Sequence, residues 1–155
     1  MWFIVGLRGD HGDTMFYGTY EHTIDEKGRL TLPARFRDAL GDGVVIAKGL
    51  DSNVDVYPRS EWDTLVESRL AHLDPLAPET RQLRRFFFAG AEHDTMDKQG
   101  RVLVPQQLRD AGGLGRDVVI AGVFDHLEVW SREAWSEQQK GVDGSASDVA
   151  QRLAQ

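Results

Sequence analysis

Two stretches of the sequence, DEKGRLTLP at positions 25–33 and DKQGRVLVP at positions 97–105, repeat one another and decide the fold. Asp, Gly, Arg and Pro recur in them at identical spacing, and a segment that recurs at a fixed offset indicates a duplicated structural unit. The glycine of each copy can take a positive φ that other residues adopt only with strain, and the aspartate can accept hydrogen bonds from nearby backbone N–H groups. We therefore predict that Gly28 and Gly100 each lie in a tight turn between two strands.

The likeness extends outward from these turns. Residues 16–40 align with residues 88–112 without a gap, VVIA recurs at 44–47 and 118–121, and Trp62 corresponds to Trp135. In each copy we predict a strand (17–24 or 89–96), then the turn, and then a short strand (29–32 or 101–104). A short helix should follow and start at proline, because the N–H that proline lacks has no partner in the first turn of a helix. Two further strands are predicted at 44–48 and 54–57, and again at 118–122 and 127–130. The unbroken VVIA runs predict strands that are covered on both faces.

The predicted organisation is two repeats joined by helices. A unit of about 45 residues is too small to close its own core, so the copies should pack around a pseudo-twofold axis. Apolar residues at helical spacing from Trp62 to Leu73 predict one linking helix, and Pro78 starts a second. We assign the first repeat to 15–62, linking helices to 63–87, the second repeat to 88–135 and a polar tail to 136–155, loose at 141–147 and weakly helical at 148–153. Residues 1–14 are expected to be either a loose arm or an extension that results from a translation start upstream of Met15.

The composition restricts the function classes. The chain has 155 residues, a formal net charge of -7 and no cysteine, which excludes disulfides, thiolate metal sites and a cysteine nucleophile. The apolar start at residues 2–7 is far shorter than the roughly 20 residues that span a bilayer, so no membrane partner is expected. The acidic balance argues against a protein coated with positive charge, but residues 27–37 hold four basic and no acidic side chains. A local basic face is therefore compatible with the net charge.

An enzyme is the main alternative class, and the sequence lacks the usual motifs of one. The five histidines form no His-x-x-x-His or similar metal-binding pair, and Glu92, His93 and Asp94 alternate along a predicted strand, so that neighbours face opposite ways. There is no Gly-x-Ser-x-Gly elbow and no phosphate-binding glycine loop. We expect no enzymatic activity, no cofactor and no bound metal. A second alternative keeps the fold but lets the turns bind protein, as in an interaction module or an antitoxin-like partner.

Taken together, these residues resemble the MraZ family. The resemblance is carried by MFYG at 15–18, the twin Asp-x-x-Gly-Arg motifs, LPA at 32–34 and FDHLEVW at 124–130, and it covers about residues 15–135. It implies an α+β, mainly β fold, a pseudo-twofold double-repeat swapped-hairpin AbrB-like β-barrel with flanking helices. It also implies a cytoplasmic, nucleoid-associated transcriptional regulator, a repressor of the division and cell-wall gene cluster. Such a protein would bind short direct repeats of double-stranded DNA in its own promoter as a homo-oligomeric ring of about eight or more subunits.

The resemblance places DNA contact on the Asp-x-x-x-Arg turns. Arginine can donate to guanine O6 and N7 together, whereas lysine suits phosphates, which fix register without reading sequence. We predict that Arg29 and Arg101 reach base edges. The remaining assignments are Lys27, Lys98, Arg35, Arg37 and Arg109 for phosphate contact, and Asp25, Gly28, Asp97 and Gly100 for shaping the turns.

Several arginines have a second interpretation, and the two turns differ. Arg37 and Arg109 are alternatively solvated or salt-bridged, and the cluster Arg81, Arg84 and Arg85 is alternatively a subunit contact. The second motif has Gln99 where the first has Lys27, and its lysine is moved to Lys98. The two turns therefore are not expected to contribute equally.

Overall fold

The computed structural model describes residues 15–155 and builds each repeat from four strands. The strands of the first repeat are β1 (Thr19–Thr23), β2 (Arg29–Thr31), β3 (Val44–Lys48) and β4 (Val54–Pro58). Those of the second repeat are β5 (Glu92–Asp94), β6 (Arg101–Leu103), β7 (Asp117–Gly122) and β8 (Leu127–Ser131). All eight predicted strands are present, and the two that precede the turns are shorter than expected. The arm or upstream start expected at residues 1–14 lies outside the described residues.

Helices connect and flank the repeats. They are α1 (Arg59–Leu65), which continues as a π-helical turn (Val66–Leu70), α2 (Pro78–Arg84), which continues as a second π-helical turn (Arg85–Ala89), α3 (Gln106–Ala111) and α4 (Arg132–Leu153). Over residues 15–155, none of these helices combines the length and the apolar character that crossing a membrane requires.

Six strands form one antiparallel sheet in the order β1-β7-β8-β4-β3-β5. The first strand of each repeat pairs inside the other repeat, because Thr19 of β1 lies opposite Ala121 of β7 and Glu92 of β5 lies opposite Ile46 of β3. Strands β2 and β6 pair with each other in a separate antiparallel ribbon. Like strands therefore meet at β4–β8 and at β2–β6, which defines the pseudo-twofold axis. The predicted swapped-hairpin double repeat is confirmed.

The predicted barrel is wrong, because the sheet does not close. In the described part of the chain, β1 and β5 form the two ends of the six-stranded sheet, and the ribbon is a separate layer. A single bridge, from Ile24 to Leu30, joins the end of β1 to β2. Pro33 and Pro105 follow the ribbon strands closely, and proline has no N–H to extend a strand ladder. The ribbon is consequently too short to connect the two edges.

The main core lies between the six-stranded sheet and the ribbon. Leu30 and Val102 face each other in the ribbon, are fully buried and pack with Ile46 and Ile120 of the sheet. A smaller cluster on the opposite face of the sheet, beneath α1, consists of Val45, Ala47, Tyr57 and Trp62. Strand β3 is therefore covered on both faces, as its VVIA run predicts.

The helix predicted after Pro33 is reduced to a 3-10 turn (Ala34–Phe36), although α3 forms after Pro105. The connection from Pro33 to Val44 has two residues fewer than the one from Pro105 to Val118. The backbone N–H groups of Phe36, Arg37 and Leu40 each donate a hydrogen bond to the carbonyl three residues earlier. This pattern is that of a 3-10 helix, which is wound more tightly than an α-helix. The difference in connection length explains the difference in helix type.

The loose segment predicted at 141–147 is also wrong, because α4 runs unbroken from Arg132 to Leu153. Ser131 caps the helix by accepting a hydrogen bond from the Ala134 N–H at 3.1 Å, and Trp135 packs on Trp130 with ring centroids 5.9 Å apart. Once such contacts have nucleated a helix, each further residue adds a hydrogen bond at low cost. The start of α4 thus compensates for its two internal glycines.

Candidate nucleic-acid interface

The first predicted turn is organised by the Asp25 carboxylate. Its Oδ1 accepts hydrogen bonds from the backbone N–H groups of Lys27 and Arg29, each at 2.9 Å, and its Oδ2 accepts one from Arg29 Nε at 2.7 Å. The Gly28 N–H donates to the Asp25 carbonyl at 2.9 Å, and the φ of Gly28 is 85°. The carboxylate that closes the turn therefore also orients the arginine.

The second turn reproduces this geometry bond for bond. Asp97 Oδ1 accepts from the backbone N–H groups of Gln99 and Arg101, each at 2.9 Å, and Oδ2 accepts from Arg101 Nε at 2.8 Å. The Gly100 N–H donates to the Asp97 carbonyl at 3.0 Å, and the φ of Gly100 is 77°. Gly28 and Gly100 thus each lie in a tight turn at positive φ, and Asp25 and Asp97 cap these turns.

The two turn arginines lie on the same side of the ribbon. Side chains alternate along a strand, and the central pair of the ribbon, Leu30 and Val102, points into the core. Arg29 is opposite Leu103 and Arg101 is opposite Thr31, so these four residues form the outer face. The side chains of Arg29 and Arg101 are 36% and 27% exposed. The ribbon thus presents two oriented guanidinium groups at diagonal corners of one surface.

An arginine from the opposite repeat braces each turn. Arg109 Nε donates to the Val104 carbonyl at 2.9 Å, and its guanidinium lies so close to Gly28 that a Cβ there would be 3.0 Å from Nη2. Arg37 Nε donates to the Leu32 carbonyl at 3.1 Å and packs even more closely on Gly100. Within residues 15–155, the two half-buried arginines bond to backbone carbonyls and form no salt bridge. This bracing role was not predicted from the sequence, although each arginine follows its own turn glycine at the same spacing.

The backbone of the ribbon ties the two turns together as well. The Gly28 carbonyl accepts from the Val104 N–H at 2.8 Å, and the Gly100 carbonyl accepts from the Leu32 N–H at 2.9 Å. Each turn is thus bonded to the strand that leaves the other turn. The two turns form one structural unit across the pseudo-twofold axis.

The other predicted DNA contacts lie on these turns or just after β2. Lys27 and Lys98 are exposed within the turns. Arg35 is exposed on the 3-10 turn, where its Nη1 donates to the Tyr20 hydroxyl at 2.8 Å and its guanidinium lies 5.4 Å from the Phe36 ring centroid. Arg35 is therefore held in place by the aromatic side chains of Tyr20 and Phe36.

Hydrogen bonding lowers the pKa of both turn aspartates. The backbone N–H of Arg29 makes the largest contribution to the lowered pKa of Asp25, and the backbone N–H of Arg101 does so for Asp97. The guanidinium groups lower the pKa of these carboxyls further by hydrogen bonding and charge. Both carboxylates are ionised at neutral pH and hold their arginines by charge-assisted bonds.

The exchanged strands and the paired turns define a swapped-hairpin protein made from two repeats in one chain. A family model described as "MraZ protein, putative antitoxin-like" matches residues 15–86 and again residues 87–155. The chain belongs to the MraZ family.

Curated relatives cover nearly all of the described chain. The transcriptional regulator MraZ of Roseiflexus sp. (strain RS-1) is 48% identical over 141 residues, which are 91% of this chain and 98% of that protein. The transcriptional regulator MraZ of Heliobacterium modesticaldum is 47% identical over 139 residues, 90% of this chain and 96% of that protein. Because these relatives are named regulators and not enzymes, the expectation of a non-enzyme is confirmed.

Proposed function

We propose that this chain is a DNA-binding transcriptional regulator that reads base edges with Arg29 and Arg101. The observation that carries the proposal is the common orientation of the two arginines on the outer face of the ribbon. Each aspartate binds its arginine through Nε, so the terminal amino groups are the part of the fork best placed to reach an external acceptor. A guanine that offers O6 and N7 in the major groove matches such a fork.

The neighbouring cations would fix the register on the duplex. Lys27 and Lys98 are exposed beside the arginines, and Arg35 is exposed on the segment that follows β2. These side chains suit phosphate oxygens, which position a protein without reading sequence. Arg37 and Arg109 would act mainly through the turns that they brace, and their terminal amino groups would add phosphate contacts.

Assembly would supply the affinity that one chain lacks. Two turns offer few phosphate contacts, which give weak binding at physiological salt. A homo-oligomeric ring of about eight or more subunits would place many turns along DNA, and linked sites gain affinity through effective concentration. We propose short direct repeats in the protein's own promoter as the target, with repression of the division and cell-wall gene cluster as the outcome. This activity places the protein in the cytoplasm, at the nucleoid.

The test is a gel-shift titration on the DNA upstream of the gene, with scrambled DNA as competitor. The variant Arg29→Ala/Arg101→Ala should lose at least about 30-fold in specific affinity, because each of the two arginine–guanine contacts is worth about 1–3 kcal/mol. The variant Arg29→Lys/Arg101→Lys should retain nonspecific binding but lose discrimination, since lysine keeps the charge without the fork. Arg152→Ala, at the exposed end of α4, is the matched control and should bind normally.

Unchanged specific binding by a folded, normally assembled double alanine variant would refute the assigned role of the turns. Circular dichroism and light scattering provide the folding and assembly controls. If the wild-type protein shows no preference for upstream DNA but binds another protein through the turns, the antitoxin-like interpretation replaces the regulator. Sensitivity to salt distinguishes these outcomes further, because binding through phosphates must weaken steeply with ionic strength.

A further inference from the structure

A second polar cluster lies where the two repeats meet, on the opposite face of the six-stranded sheet from the ribbon. Asp55 of β4 is paired directly across from Glu128 of β8, and His126 precedes β8 by one residue. The side chains of Asp55, His126 and Glu128 are 10%, 15% and 21% exposed. The cluster is thus largely buried and keeps some contact with solvent.

The three side chains converge on one point. One ligand atom from each lies within 4.8 Å of the other two. His126 Nε2 is 3.7 Å from Asp55 Oδ1 and 4.0 Å from Glu128 Oε2, which is too far for direct hydrogen bonds. When two ligand atoms each lie about 2.0–2.2 Å from the same metal ion, they are roughly 3–4 Å from each other. The two distances from His126 Nε2 therefore match those between ligands of one cation.

Each candidate ligand is oriented by a neighbouring group. Asn53 Nδ2 donates to Asp55 Oδ1 at 2.8 Å, and Trp130 Nε1 donates to Glu128 Oε1 at 3.0 Å, which leaves Oε2 directed at the histidine. Asp125 Oδ1 lies 2.7 Å from His126 Nδ1. Since a carboxylate only accepts, Nδ1 carries a proton and Nε2 is the ring atom available to a metal.

The ring plane of His126 is fixed too. Tyr57 stacks on it with centroids 4.3 Å apart and an angle of 11° between the rings. A carboxylate on the second ring nitrogen is typical of metal-binding histidines, and the stacking of Tyr57 further fixes the ring of His126. The geometry therefore does not depend on the ion to order it.

The electrostatics of the cluster favour a cation. Among residues 15–155, the ion pairs of Asp55, Asp125 and Glu128 all involve His126, so three carboxylates face one imidazole. An uncompensated negative charge at this depth is costly unless a cation joins it.

We propose that Asp55, His126 and Glu128 bind a divalent transition-metal ion such as Zn²⁺. Imidazole nitrogen with carboxylate oxygens suits Zn²⁺ and its neighbours, whereas Mg²⁺ and Ca²⁺ prefer oxygen ligands alone. Asp55 belongs to the first repeat and the other two ligands to the second, so the ion cross-links the repeats at the β4–β8 seam. The inference is independent of the proposed DNA contacts, which lie on the other face of the sheet.

The experiment is calorimetric titration of the metal-free, untagged full chain with ZnCl₂. We expect one ion per chain, and a melting temperature that rises by several degrees in excess Zn²⁺, because an ion that binds only the folded state stabilises it. His126→Gln and Glu128→Gln should each weaken binding more than tenfold and reduce the rise in melting temperature. Asp125→Asn should weaken binding about 10–100-fold, as expected for a positioning residue beside a metal-bound histidine.

The control is His93→Gln, which changes an exposed histidine on β5 next to Glu92 and should bind Zn²⁺ like the wild type. Circular dichroism confirms that each variant is folded, and if His126→Gln fails to fold, Glu128→Gln decides the question. Equal Zn²⁺ affinity in the wild type and in the folded variants overturns the proposal. So does a wild-type chain that binds no Zn²⁺, since the cluster is then a histidine–carboxylate salt bridge only.

Discussion

The two turns have the same internal geometry in different surroundings. Asp25 and Asp97 make equivalent bonds whose lengths differ by no more than 0.1 Å, yet the first turn has Lys27 where the second has Gln99. Arg35 likewise corresponds to Gln107 under the alignment of the repeats. Residues that close a turn are thus the same in both copies, and residues that would touch phosphate are not. Turn shape and charge are separable properties, which makes the pair an internal control.

The largest difference between the turns should appear when their glycines are replaced. Gly28→Ala places a Cβ 3.0 Å from Arg109 Nη2 and should cost about 1–2 kcal/mol through its positive φ. Gly100→Ala makes the Cβ overlap the Arg37 side chain and should cost about 2–4 kcal/mol, because overpacking adds to the backbone strain. Urea denaturation measures both free energies of unfolding.

The control for this comparison is Gly100→Ala combined with Arg37→Ala, tested beside Arg37→Ala alone. Removal of the bracing side chain should reduce the extra cost of Gly100→Ala to that of backbone strain. Equal losses for the two single glycine variants would show that the second turn is no more tightly braced than the first.

A smaller effect is expected from exchanging Lys27 and Gln99. The salt slope is the change in the logarithm of the DNA-binding constant with the logarithm of the salt concentration. Lys27→Gln should reduce its magnitude by about 0.9 for each first turn that contacts a phosphate. Gln99→Lys should increase its magnitude by a similar amount for each second turn. The measurement is the dissociation constant on the same DNA across a salt series. If Gln99→Lys leaves the slope unchanged, the second turn does not approach the DNA backbone at that position.

The smallest effect concerns pH, because the turn carboxylates are exposed and screened. The pKa values of Asp25 and Asp97 are lower in the folded chain than in the unfolded one, so their stabilisation is present above the unfolded value near 4. It is lost as the pH falls through the folded value. Asp25→Asn and Asp97→Asn should therefore each flatten the acid side of the stability–pH curve.

Asp25→Asn and Asp97→Asn test the likeness of the two turns. Because the two aspartates make equivalent hydrogen bonds, the two variants should change the pH dependence of stability equally. Thermal melts between pH 3 and about 7 measure the effect. A clear inequality between the variants would mean that the surroundings of the turns, rather than the shared bonds, set the lowered pKa values.

The sequence was sufficient to predict the strands and the turns because their signals are local. Gly28 and Gly100 mark the turns, and the VVIA runs mark the strands that are buried on both sides. The two turn arginines could be located for the same reason, since each follows its aspartate at a fixed spacing.

Features that depend on distant contacts could not be read from the sequence. The bracing of Gly28 by Arg109 requires the repeats to be docked, and the open sheet follows from the short β2–β6 ribbon. The cluster of Asp55 with His126 and Glu128 unites residues far apart in the chain, so no metal-ligand spacing appears along the sequence. The continuity of α4 through 141–147 was missed because Gly141 and Gly144 suggest a break, while the packing of Trp135 on Trp130 is a tertiary contact.

The exchange of first strands also sets an order of folding. Hairpins β3–β4 and β7–β8 join neighbouring strands within one repeat, whereas β1 must reach β7 across a loop of roughly 100 residues, from Thr19 to Ala121. Closing such a loop costs entropy before its contacts are gained, so pairing of this kind slows folding. During synthesis, β1 would leave the ribosome long before its partner strand exists. Strand β1 must therefore wait for its main partner until β7 has been made.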